Sequence, residues 1–293
     1  MGYSSRYHAA SLAAVFVALA IGILIGAALG SDVITGTAKN LEQDLGEDLD
    51  RLRAETADLE TALEEERSFG RQIYPSVVTG RLQGRDVALI ALGDVDTAGI
   101  TAEVEEALAP AGASLGEVAE VAEPPDTEAL IAALRPGERR ALPRGEALGL
   151  AARKAGEGLL SGEDLGTARD ALFSGFSGEP VGIDAAIIVR AGTDELEPRA
   201  QADTEILEQG LLEGIGQTGK RVVGVERTDD EPSQIEFFTD RDLASVDNLD
   251  SVAGKVALVL ALDGADGAFG TKETAQSLLP DLVTSEPAGA QAP

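Results

Sequence analysis

The chain has 293 residues, with 52 acidic against 23 basic side chains, a formal charge of −29 and no cysteine. So strong a negative field repels nucleic acid and anionic lipid, and the missing thiols exclude disulfides, thiol redox chemistry and thiolate metal sites. Aromatic residues make up 3% and Trp is absent, so a core has to be built from Val, Leu, Ile and Ala.

From Ala9 to Gly30 no residue is charged, and Ser11 carries the only side chain with a hydrogen-bonding group. As a helix this stretch spans roughly 33 Å, enough to cross a hydrocarbon core of about 30 Å with modest tilt. A cleavable signal peptide is the alternative, with Ala28 and Gly30 before Ser31 as small cleavage-site residues. The apolar run is longer than a signal h-region, and the preceding basic region is only Arg6 and the amino terminus, so the reading is an uncleaved signal anchor. Arg6 before the span and Lys39 after it lean toward a cytoplasmic segment 1–8 and an extracytoplasmic bulk. Small residues recur every fourth position at Ala10, Ala14, Ala18, Gly22, Gly26 and Gly30. The last three form two overlapping GxxxG motifs and mark the face expected to meet a second helix.

Segment 31–74 is expected to be helical. Leu45, Leu49, Leu52, Leu59 and Leu63 fall at alternating d and a positions of a heptad, with Thr56 at the remaining a. Such a seam over about three heptads predicts a short coiled coil, and a shared anchor favours a parallel homodimer. Asp48 at g would face Arg53 at e of the partner helix, whereas Glu55 would face Glu60. Glu42 and Glu66 fall on the seam, and Gly46 costs about 1 kcal/mol relative to Ala. The zipper is therefore weak without its anchor. The competing reading is an amphipathic helix packed on its own domain.

Tyr74-Pro75 is expected to end this helix, and an α/β domain is expected over 75–283. Asp86–Leu92 reads as a buried strand, Thr101–Ala109 as a helix and Leu115–Val121 as a second strand. Thr127–Leu134, Gly145–Leu160 and Leu165–Phe173 read as helices. Ala185–Val189 is a buried strand, Pro198–Gln217 a helix and Arg221–Val225 a strand. Gln234–Phe238 is assigned to an edge strand, Val256–Leu262 to the last central strand and Glu273–Leu279 to a short helix. The alternation predicts a doubly wound, mainly parallel sheet of Rossmann-like or flavodoxin-like type. The tail 284–293 is expected to be disordered.

In such sheets ligands bind beyond the carboxyl ends of the strands, here the loops Gly93–Asp96, Arg190–Asp194, Glu226–Asp229 and Asp263–Gly270. Gly264, Gly267 and Gly270 with Lys272 and Thr274 invite comparison with a P-loop. The comparison fails, because Thr271 follows Gly270 and Glu273 follows Lys272. Dinucleotide and EF-hand spacings fail as well, leaving Asp263 and Asp266 as turn carboxylates. The single histidine, His8, lies at the mouth of the anchor, so the domain has no histidine for a triad, a zinc site or a general base. No catalytic, cofactor-binding or metal residue is assigned, and an enzyme is the least favoured class.

The run His8-Ala9, Ser11-Leu12-Ala13-Ala14, Phe16, Ala18-Leu19 and Gly22, followed by Gly80-Arg81-Leu82, Gly84-Arg85 and Val87, resembles the actinobacterial MctB family of copper transport proteins. Gly267, Phe269 and Gly270 extend the match toward the C-terminus. The resemblance implies an envelope protein in copper homeostasis, described in mycobacteria as an outer-membrane channel that removes copper. A SteB-like branch implies an anchored dimer that partners a membrane protein and influences cell division and peptidoglycan hydrolysis. Cu(I) favours Cys and Met, and copper generally welcomes His. This chain has no Cys, Met1 as its one Met and His8 as its one His. The segments of alternating apolar and polar residues with aromatic girdles that mark a porin are also missing. Whether copper is bound or moved stays open at this point.

Overall fold

Aliphatic runs buried on both faces set the centre of the sheet, since a strand covered on each side by helices needs no polar alternation. In the computed structural model, which describes residues 5–178, 182–193 and 196–281 and, within 5–6 and 29–44, the backbone alone, these runs are β1 (Asp86–Leu92), β4 (Ala185–Arg190) and β5 (Arg221–Val225). They pair in parallel with β2 (Ser114–Val121), β6 (Ala244–Val246) and β7 (Ala268–Phe269). The antiparallel β3 (Phe173–Gly178) closes the far edge against β2. The seven-stranded order is β3-β2-β1-β4-β5-β6-β7, so the expected mixed α/β fold with a mainly parallel sheet is the one observed.

The chain divides into two units, Met1–Glu66 and Arg67–Pro293. The first holds most of α1 (Ser5–Val78). In the second, one sheet face is covered by the last turns of α1, by α2 (Thr97–Ala111) and by α9 (Val252–Asp263). The other is covered by α3 (Thr127–Ala132), α5 (Arg144–Ser161), α6 (Thr167–Leu172), α7 (Pro198–Gln217) and α8 (Ile235–Thr239). The short α4 (Pro136–Ala141) buries no side chain.

Four expectations are corrected. Helix α1 runs through Pro75 to Val78, because Tyr74, Val78 and Leu82 are buried under the sheet. The Tyr74 hydroxyl also donates to the Ala107 carbonyl at 2.6 Å. Residues 235–239 are a helix and not an edge strand: Ile235 and Phe238, three apart, bury one helical face, and the Phe238 ring rests where a Cβ on Gly224 of β5 would collide with it. The run Val256–Leu262 is the middle of α9, whose residues Gly254–Leu262 are all buried, so no polar stripe betrays its period. Segment 273–279 forms no helix and is held instead through a bridge between Phe269 and Ser277. The tail 284–293 and Asp194 lie outside the described residues.

Helix α9 begins where Ser251 Oγ accepts the Gly254 N–H at 2.9 Å. Ser251→Ala is expected to cost about 1 kcal/mol and Ser251→Asp much less, read by urea denaturation.

Candidate functional site

The winding of the sheet reverses at β1, which lies between β2 and β4, and a ligand in this topology sits beyond the carboxyl ends of the strands at that point. Three of the four expected loops, at 93–96, 190–193 and 226–229, do lie there. The fourth does not, because Asp263–Gly267 follows a helix and precedes β7, at the amino end of the sheet. There Asp263 pairs with Arg81 at 3.3 Å and Arg85 at 3.6 Å, and Asp266 with Arg221 at 2.6 Å. These carboxylates clamp the lower rim of the fold and leave no oxygen cage.

At the switch point the crevice is filled by the chain's own groups. Gly93 adopts φ 83°, open to glycine without strain, and a Cβ there would stand 3.0 Å from Glu123 Oε2 and 3.1 Å from the Ala191 methyl. Glu123 Oε2 accepts the Asp94 N–H at 3.0 Å. A cavity of about 10 Å³ remains between Glu123, Thr204 and Glu208, about the space of one water molecule. The N-terminus of α2, where a phosphate would dock, is capped by Asp96, which accepts the Gly99 N–H at 3.1 Å. That bond, with Arg227 at 3.1 Å, holds the Asp96 carboxyl below its ordinary range.

Beyond β5, β6 and β7 the buried charges form a closed network. Glu226 accepts from Ser233 Oγ at 2.7 Å, from the Gln234 N–H at 2.6 Å and from Lys272 Nζ at 2.7 Å. Lys272 Nζ also donates to the Asp230 carbonyl at 2.6 Å. Asp247 accepts the Thr271 and Lys272 N–H groups at 2.7 and 2.9 Å and lies where a Cβ on Gly270 would be. The lysine that invited a P-loop comparison is thus spent on Glu226. Nearby, Arg190 donates to Glu208 at 3.0 Å and to Gln234, and stacks 4.2 Å over the Phe237 ring. Burial raises the Glu208 carboxyl above its ordinary range, opposed by Arg190. Charges satisfied in this way stiffen the crest. Residue spacing missed this network because its partners are far apart in the chain; the one local signal was a charged residue at the end of each strand, Arg190, Glu226 and Asp247.

The residues singled out for pairing share α1. Gly22 and Gly26 have nothing within 4 Å of an added Cβ, and Gly30 falls where only the backbone is described. Leu45, Leu49, Leu52, Leu59 and Leu63 are 46 to 71% exposed. Over Tyr7–Ala28 the helix is long and apolar enough to cross a membrane. Among the described residues, no group of three or more His, Asp or Glu side chains is placed to hold a metal ion.

The family model described as "Copper transport outer membrane protein, MctB" matches residues 3–280. The chain belongs to the MctB family. Curated relatives called "Copper transporter MctB", from Mycobacterium bovis and Mycobacterium tuberculosis, are 33% identical over 91 residues. That alignment covers 31% of this chain and 29% of each relative, so the chain aligns with under a third of the length of these curated relatives.

Proposed function

We propose that the chain is a membrane-anchored envelope protein of the MctB family that acts in copper homeostasis by docking a membrane partner and not by chelating copper itself. The family match from 3 to 280 carries this reading. The donor set supports the second half: with no Cys and one residue each of Met and His, the carboxylates that remain are hard ligands that suit copper poorly. Segment 9–30 is the single membrane span, the bulk is extracytoplasmic, and the protein is not an enzyme. Two copies pair in parallel through Gly22, Gly26 and Gly30 and through the leucine seam, where Asp48 opposes Arg53 of the partner helix. Deleting the gene is expected to lower copper tolerance and raise cell copper; unchanged tolerance and content would sink the copper role.

The exposed seam favours a second reading, a SteB-like dimeric scaffold that regulates cell division or peptidoglycan hydrolysis. Because the chain has no native cysteine, Leu52→Cys in membranes reports pairing without background. A disulfide-linked dimer is expected on oxidation, and recovery of monomer alone would refute both the zipper and the scaffold.

A further inference from the structure

Among the described residues, one buried carboxyl group has no hydrogen-bond partner. Glu117 on β2 is 1% exposed, and neither of its side-chain oxygens has a hydrogen-bond partner. It stands next to the edge of the sheet, since β2 pairs with the edge strand β3. Its partner positions, Ala88 on β1 and Gly178 on β3, bring no charge. Arg169 on α6 is the charged group that acts on it, but its guanidinium is stacked 4.0 Å over the Phe176 ring of β3 and gives the carboxyl no hydrogen bond. The other nearby acids are held elsewhere. Asp86 accepts from Ser114 Oγ at 2.5 Å, Asp184 accepts the Asp86 N–H at 3.0 Å, and Glu120 lies against Gly175 on the opposite face of β2.

We propose that Glu117 is a proton-operated latch on the sheet edge: with its proton on, it lies buried and β3 stays paired, and on losing the proton it draws β3 off the sheet to reach water. A buried ion without a partner is far costlier than a buried neutral acid, and β3, beside Glu117, is an edge strand bound on one side. Burial pushes the Glu117 carboxyl from its ordinary 4.5 up to about 7, with Arg169 opposing. The sign follows from linkage. The closed form holds the proton more tightly than the open form, so the stabilisation is complete below pH 4.5, is lost as pH rises to about 7, and changes no further above that.

Hydrogen exchange on the full chain in detergent micelles tests the latch. Protection of the Phe173–Gly178 amides, corrected for the intrinsic pH dependence of exchange, is expected to fall about tenfold per pH unit between about 5 and 7 and then level off. In Glu117→Gln the same amides should show no such fall. Protection that is flat in the wild type, or that falls equally in Glu117→Gln, would overturn the proposal. Should that variant fail to fold, the carboxyl carbon resonance of Glu117 in the wild type decides: a midpoint near 7 supports the latch and one near 4.5 refutes it.

Discussion

Gly214→Ala is expected to destabilise the domain by about 3 kcal/mol or more, a severe effect for one methyl group. Helices α5 and α7 pack backbone to backbone: a Cβ at Gly214 collides with the Arg153 carbonyl, one at Gly210 with the Gly149 carbonyl, and one at Gly156 with the Leu211 carbonyl. All three obstacles are main-chain atoms, so no side chain can swing aside, and the two helices have to separate. Separation would strip cover from Ala152, Ala155, Leu207 and Leu211, all buried in the same core. Gly216→Ala, two residues further along α7, meets nothing within 4 Å. It is expected to stabilise slightly through the better helix propensity of alanine. Urea unfolding of the two variants in parallel should therefore give shifts of opposite sign, and equal shifts would refute this account of the helix crossing.

Lys272→Met should cost about 3–5 kcal/mol, because it leaves the Glu226 carboxylate, 1% exposed, without its counter-charge. The methionine retains most of the apolar stem, so the loss reports the charge more than the packing. Adding Glu226→Gln should recover a large part of it, since the double variant buries no charge, the amide oxygen still accepts the Gln234 N–H and the amide NH2 can donate to Ser233 Oγ. A double-mutant cycle by chemical denaturation measures the coupling. If the second substitution deepened the loss additively, the pair would be independent and the network on the crest would not exist as described.

Legibility of the fold followed the physics of each segment. Strands β1, β4 and β5 stood out because a strand buried on both faces reads as an uninterrupted aliphatic run between turn residues. The same logic misled at Val256–Leu262, since a helix apolar all round gives the same run; Ser251 as an N-cap and the twelve residues to Gly264 were the distinguishing signs. Strands β6 and β7, of three and two residues, are too short to show a period. Misplacing α9 then carried the 263–270 loop to the wrong end of the sheet. The crest network was hidden for another reason: Glu226 and Lys272 are 46 residues apart, and only the pairing of β5, β6 and β7 brings them together. Strand β3 was not read at all, because only its first residue, Phe173, had been assigned, to the end of a helix over Leu165–Phe173.

The sheet order also has a kinetic side. Strand β1, inside the sheet, needs β4 as a neighbour, and the contact between Asp86 and Asp184 spans 98 residues of chain. During synthesis β1 therefore emerges long before its second partner, with Val87–Leu92, among the most buried residues of the finished protein, open to solvent in the interval. Closing so long a loop slows folding, and an unpaired apolar strand is a template for aggregation.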